Sequence, residues 1–189
     1  VSPISPTSAL QEHTCHVPDT TQPRLVSFSL DMDALEMQLV FSETVNATTL
    51  LGEALVLIPA QVGANISLAD KVTELQGLRL LTWNQTVVQA ALSRETADRI
   101  KAIPELATTL HNTFIASASS QMQAAIRDMA GNQMEVIGQA NVPALQAKEF
   151  VPDSTSPVAH NFTFNFTDSS LMIEFSEPMN LSTVHAPSM

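Results

Sequence analysis

Over much of the chain, apolar and polar residues alternate with a period of two, the mark of strands that bury one face. Residues 25–30 and 35–41 show it most clearly, and further strands are predicted at 54–58, 77–81, 86–92, 113–119, 122–128 and 134–137. Residues 93–103 break the pattern: Ser93 is a suitable N-cap, Glu95 and Asp98 fall in the first turns, and Pro104 stops the run. A short helix bridging two sheets is expected there. Short strands between turn-rich segments predict an all-β fold, a β-sandwich with one short helix.

The same pattern occurs twice. Residues 17–50 and 151–184 align without a gap at a constant offset of 134, with 11 of 34 positions identical, among them Val17/Val151, Pro18/Pro152, Asp19/Asp153, Pro23/Pro157, Phe28/Phe162, Phe41/Phe175, Glu43/Glu177 and Asn46/Asn180. Ala9-Leu10-Gln11 precedes the first copy as Ala144-Leu145-Gln146 precedes the second. A period this long is that of a domain rather than of a solenoid unit. The expected organisation is therefore the end of one repeat at 1–16, a complete repeat at 17–150, and the first strands of another at 151–189. The Pro-Asp-Thr/Ser-Thr-x-Pro junctions suit linkers, because proline fixes φ while Asp and Thr cap nearby amides.

Phe41-Ser42-Glu43-Thr44-Val45-Asn46, Asp128-Met129-Ala130-Gly131-Asn132 and the Asp-Thr-Thr-x-Pro junction resemble the bacterial-type immunoglobulin-like repeats of S-layer and other large surface proteins. The resemblance runs over 17–150 in strand order and implies an immunoglobulin-like sandwich in a stiff extracellular tandem array, with no catalytic residues. At 134 residues the unit exceeds a usual domain of about 100, so an inserted loop is expected around 61–74.

With 8 Lys and Arg against 19 Asp and Glu, the net charge is −11. Nucleic acid and anionic lipid are poor partners for such a surface, since both need clustered basic residues. An apolar fraction of 44% is too high for a disordered chain. No apolar run approaches the roughly 20 residues of a membrane-spanning helix, so no membrane insertion is expected of this segment. The first residues have neither the basic start nor the apolar stretch of a signal peptide, as expected of a mature chain or one cut from a longer protein.

Six of the nine asparagines lie in N-x-Ser/Thr acceptor sites: Asn46, Asn65, Asn84, Asn161, Asn165 and Asn180. Chance placement of Ser and Thr would give roughly two, so the excess points to N-linked glycan and an extracellular, secreted or cell-surface setting. Cys15 has no second cysteine in the chain, which makes it a candidate for an intermolecular disulfide. His13, Cys15 and His16 are too close in sequence to close one tetrahedral metal site.

Catalytic signatures are missing: no G-x-S-x-G, H-E-x-x-H, P-loop or G-x-G-x-x-G occurs in a chain of five glycines. The expectation is no enzyme activity and no cofactor, with glycans carried and calcium possible. Asp19, Asp153 and Asp128 are weak calcium candidates, with Asp31 and Asp33 behind them, because hard cations need converging carboxylates. The competing reading makes Asp19 an Asx-turn cap and residues 128–132 a hairpin turn with Gly131 or Asn132 at positive φ. Glu43 and Glu177 are either solvated strand ends or receivers of a neighbouring domain's Lys or Arg. Trp83 is expected in the core rather than as a sugar platform.

The strands expected at 158–166 and 171–175 would expose apolar faces on their own, so the rest of a domain, or another subunit by strand addition, must cover them. The partners expected are neighbouring repeats and identical subunits in a linear assembly. These expectations point to a structural repeat of an extracellular filament or surface-layer protein, such as a flagellar hair, cell-wall or matrix fibre. The alternative is a cell-surface adhesin with calcium-stiffened immunoglobulin-like domains.

Overall fold

The computed structural model describes residues 17–60, 73–118, 124–138 and 142–180. In chain order its strands begin with β1 (Leu25–Asp31), β2 (Glu36–Phe41), β3 (Val45–Asn46), β4 (Leu55–Ile58), β5 (Thr73–Glu74), β6 (Arg79–Asn84) and β7 (Val87–Ala91). Helix α1 (Arg94–Ala102) follows, then β8 (Phe114–Ser117), β9 (Arg127–Asp128), β10 (Leu145–Gln146) and β11 (Glu149–Val151). A separate hairpin of β12 (Ala159–Asn165) and β13 (Ser170–Phe175) completes the described chain. The fold is all-β and sandwich-like: a five-stranded sheet ordered β11-β1-β2-β7-β6 faces a four-stranded sheet ordered β10-β8-β4-β5.

The alternation read from the sequence is what fills the space between the sheets. Phe28 and Leu30 of β1 and Met37, Leu39 and Phe41 of β2 point inward and meet Leu55, Leu57 and Ile115 of the opposite sheet in one cluster. Every residue of β4 is buried, because its outer face also packs, through Val56 and Ile58, with Phe114, Ala116, Ala118 and Ala144. That accounts for an unbroken Leu-Val-Leu-Ile run where a half-exposed strand would alternate.

Helix α1 is set as its sequence requires. The Ser93 hydroxyl accepts from the Thr96 amide at 3.1 Å, Glu95 lies in the first turn, and Arg99 and Lys101 lie in the last, each favourable to the helix dipole. Thr96, Ala97 and Ile100 form its buried face, and the Thr96 hydroxyl donates to the Gln76 carbonyl at 2.6 Å. Ser93→Ala should lower stability by about 1 kcal/mol, the usual worth of an N-cap, seen as a lower urea midpoint with an unchanged slope.

Two predicted strands do not form as expected. Residues 134–137 bury Met134 and Ile137 but make scattered bonds, from the Met134 amide to the Ile126 carbonyl, from the Glu135 amide to the Pro23 carbonyl, and between Ile137 and Ser117. They have no single partner strand to ladder with. The strand predicted at 122–128 is limited to β9 among the described residues, and the predicted insertion at 61–74 falls there only in β5.

The hairpin repeats the start of the sandwich position for position. Strands β12 and β13 begin and end 134 residues after β1 and β2. Both pairs bulge after their first residue pair, between Leu25 and Ser27 and between Ala159 and Asn161. Both reverse through a left-handed residue, Leu35 at φ 57° and Ser169 at φ 56°. Both close with a serine hydroxyl accepting a backbone amide at 2.9 Å, Ser42 from Arg24 and Ser176 from Val158. What differs is cover. Phe28, Leu30, Met32, Met37, Leu39 and Phe41 are buried, whereas the counterparts Phe162, Phe164, Phe166, Leu171, Ile173 and Phe175 are 40–87% exposed.

Candidate functional site

The polar chemistry concentrates where β11 leads into the hairpin. Proline at 152 and 157 keeps this segment extended and out of the ladders, so side chains must hold it. Lys101, in the last turn of α1, places Nζ 2.8 Å from Asp153 Oδ2 and 2.8 Å from Glu177 Oε2. All three side chains are at least three-quarters covered, at 19%, 23% and 10% relative exposure. Burial works to lower the Lys101 pKa, but the bonds and charges of the two carboxylates outweigh it and hold the ammonium above the ordinary lysine value.

A second bond set runs the other way. Asp33, in the β1–β2 turn, accepts from the Ser154 amide at 3.1 Å, the Ser154 hydroxyl at 3.0 Å and the Thr155 hydroxyl at 3.1 Å. The amide and hydroxyl of Ser154 and the hydroxyl of Thr155, in that order, hold the Asp33 carboxyl below its ordinary value. The Met32 amide donates to the Val151 carbonyl at 2.9 Å, extending the parallel β1–β11 pairing into the junction. Clefts of about 150 and 330 Å³ flank Lys101, so polar bonds rather than close apolar packing join the hairpin to the sandwich here.

The equivalent acidic groups at the other end of the unit also converge. Carboxylate oxygens of Asp19, Glu43 and Asp128 lie within 4.8 Å of one another. Asp128 is spoken for: its Oδ1 accepts from the Asn132 amide and its Oδ2 from the Asn132 side chain, both at 2.7 Å. Burial pushes its pKa up, but Asn132 and the Gly131 and Ala130 amides more than offset this and leave it lowered. Gly131 sits at φ 95°, the left-handed turn position read from the sequence. Asn132 also donates to the Asp19 carbonyl at 3.0 Å, tying this turn to the entering chain. Glu43 has no such help. Burial first, then the charges of Asp19 and Asp128, raise its pKa, and its Oε1 is buried without a hydrogen bond, as is Oε1 of Glu177.

The structure thus brings Asp19 and Asp128 together and sets Asp153 against Lys101 at the opposite end. Both junction aspartates cap Asx turns, Asp19 from the Thr21 amide at 2.9 Å and Asp153 from the Thr155 amide at 3.2 Å. Asp31 caps its own turn through the Asp33 and Ala34 amides. Of the two readings of Glu177, the receiver of a basic side chain is the one observed. Sequence reasoning missed Lys101 and read Asp33 as a calcium candidate rather than as the acceptor for Ser154 and Thr155, because the partners of both lie far along the chain.

Asn84, Asn161, Asn165 and Asn180 are exposed and Asn46 is half-buried. The Asn46 side chain accepts from the Thr48 amide and hydroxyl of its own acceptor triplet at 3.2 and 2.6 Å. Asn165 is bonded to Asp168 and Thr167. Asn65 and Cys15 lie outside the described residues. Trp83, expected in the core, is 56% exposed. It lies on β6, an edge strand none of whose residues is buried.

No family model matches the chain, and no curated protein matches it. Among solved structures it is similar to the N-terminal part of the bacterial S-layer protein SbsC, at 12% identity and TM-score 0.37 over 82% of this chain and 31% of that one. A second SbsC crystal structure matches at 13% identity and TM-score 0.38 over 77% of this chain and 15% of that one. A structure of SbsC domains 1–6 matches at 12% identity and TM-score 0.36 over 82% and 18%. The chain therefore spans less than a third of the length of each of these neighbours, and likenesses this weak fix neither its units nor its role.

Proposed function

We propose that this chain is part of a tandem array of immunoglobulin-like domains in a secreted, N-glycosylated filament or surface-layer protein, where its work is spacing and stiffness. The observation that carries this reading is the second hairpin, which reproduces the strand bounds, bulge, turn and closing bonds of β1–β2 while leaving six core positions bare. A structure with that face uncovered is half of a sandwich interior. In this reading strands equivalent to β4 and β8, from the facing sheet, cover it.

The strand order supports the immunoglobulin-like assignment. Reading β1, β2, β4, β6, β7, β8 and β10 as A to G gives A-B-E-D in one sheet and G-F-C in the other, the arrangement of that sandwich. The parallel pairing of β11 with β1 delivers the chain to the junction beside the β1–β2 turn. Load along the array then passes through ladder bonds and the Lys101 clamp rather than through a slack linker. No catalytic role enters this reading.

Glycopeptide mass spectrometry of the native material tests the setting. Sugar is expected on the exposed Asn84, Asn161 and Asn180, and at Asn46 and Asn180 as equivalent positions of successive units. Unmodified asparagines throughout would remove the secretory-pathway part of the proposal. The adhesin reading draws on the convergence of Asp19, Glu43 and Asp128. It requires that calcium removal loosen the array.

A further inference from the structure

We infer that Asp19 and Glu43 form the receiving half of a second clamp, which takes the helix lysine of a preceding unit of the same kind as Asp153 and Glu177 take Lys101. The inference rests on the tandem reading above and adds to it the partner of a surface that faces no cation among the described residues.

The two ends of the unit carry the same groups in the same local geometry. Asp19 and Glu43 stand 134 positions before Asp153 and Glu177, and Thr20 and Thr21 stand 134 before Ser154 and Thr155. Both aspartates cap the amide two residues on. Both glutamates follow a serine that closes the hairpin mouth, and both keep a buried Oε1 with no partner. At one end this constellation is seen holding an ammonium ion at 2.8 Å from each carboxylate. At the other, three carboxylates lie within 4.8 Å with no opposing charge among the described residues, an arrangement in which like charges repel.

The rest of the docking surface is repeated as well. Asp33 reads the Ser154 amide and the hydroxyls of Ser154 and Thr155, and Thr20 and Thr21 offer the same donors. A preceding unit would thus meet both halves, acid for its lysine and hydroxyls for its aspartate. A lysine fits better than calcium. Both Asp128 oxygens and one Asp19 oxygen are already bonded to amides, whereas calcium takes roughly 6–8 oxygen ligands.

The test inserts a second copy of residues 17–150 between His16 and Val17 of the full chain, so that the new junction copies the one at Phe150–Val151. The Glu43 carboxyl that follows the new junction is titrated by NMR. It should titrate above the ordinary glutamate value in the original chain, move down from there in the extended chain, and move back up when the leading copy carries Lys101→Met. Amide exchange in the same samples reports whether both sandwiches form. Two folded sandwiches with an unmoved Glu43 would overturn the clamp alone. Absence of a second sandwich would sink the tandem reading and the clamp with it. Lowering of Glu43 by calcium alone, independent of the leading lysine, would replace the lysine with a metal site.

Discussion

Phe28→Ala should cost about 3–5 kcal/mol, the usual range for truncating a buried aromatic, while Phe162→Ala at the equivalent position should cost almost nothing in the same chain. The two phenylalanines occupy the same register of the same hairpin, opposite Leu39 and Ile173. Only their cover differs: Phe28 is fully buried in the main cluster and Phe162 is 71% exposed. Urea unfolding of both variants measures the contrast. In a chain extended by a copy of residues 56–150, which would supply the covering strands of the proposed array, Phe162→Ala should become as costly as Phe28→Ala. A large cost in the present chain would mean that something already covers the hairpin. Dependence of that cost on protein concentration would identify a second copy.

Lys101→Met should uncouple the hairpin from the sandwich, removing about 2–3 kcal/mol of docking, in line with leaving partly buried carboxylates without their partner. Exchange of the amides at Met32 and Ser154 should quicken, and small-angle scattering should show a looser junction, while the sandwich keeps its own stability. Unchanged exchange at both amides would mean that β1–β11 pairing alone carries the connection. The pH dependence follows from the direction of each shift. Lys101 is raised in the folded chain, so its contribution is fully present below the ordinary lysine value and is lost as pH rises through the elevated one. Asp33 is lowered, so its contribution is present above the ordinary aspartate value and is lost as pH falls through the depressed one. The junction should therefore be tightest across neutral pH and loosen at both extremes.

Strand content and the repeat were legible in the sequence because both rest on local signals. Period-two alternation at 25–30 and 35–41 marks β1 and β2, and the Ser93 and Pro104 punctuation marks α1. Short strands such as β3 and β5 were not legible, since two-residue ladders leave no periodicity. Met134 and Ile137 show the converse, inward apolar residues whose backbone finds no continuous partner. At the junction, the Asx turns of Asp19 and Asp153 were readable from Asp-Thr and Asp-Ser neighbours, and Gly131 announced its turn. The clamp was only half readable. The alignment paired Glu43 with Glu177, but Lys101 reaches Glu177 across 76 residues, a separation that only the folded chain closes.

Electron microscopy of the native polypeptide tests the tandem array most directly. Beaded rods or a surface lattice with one sandwich per axial repeat are the predicted result, with successive beads held at a constant angle by the junction. Isolated compact particles with no axial repeat would contradict it.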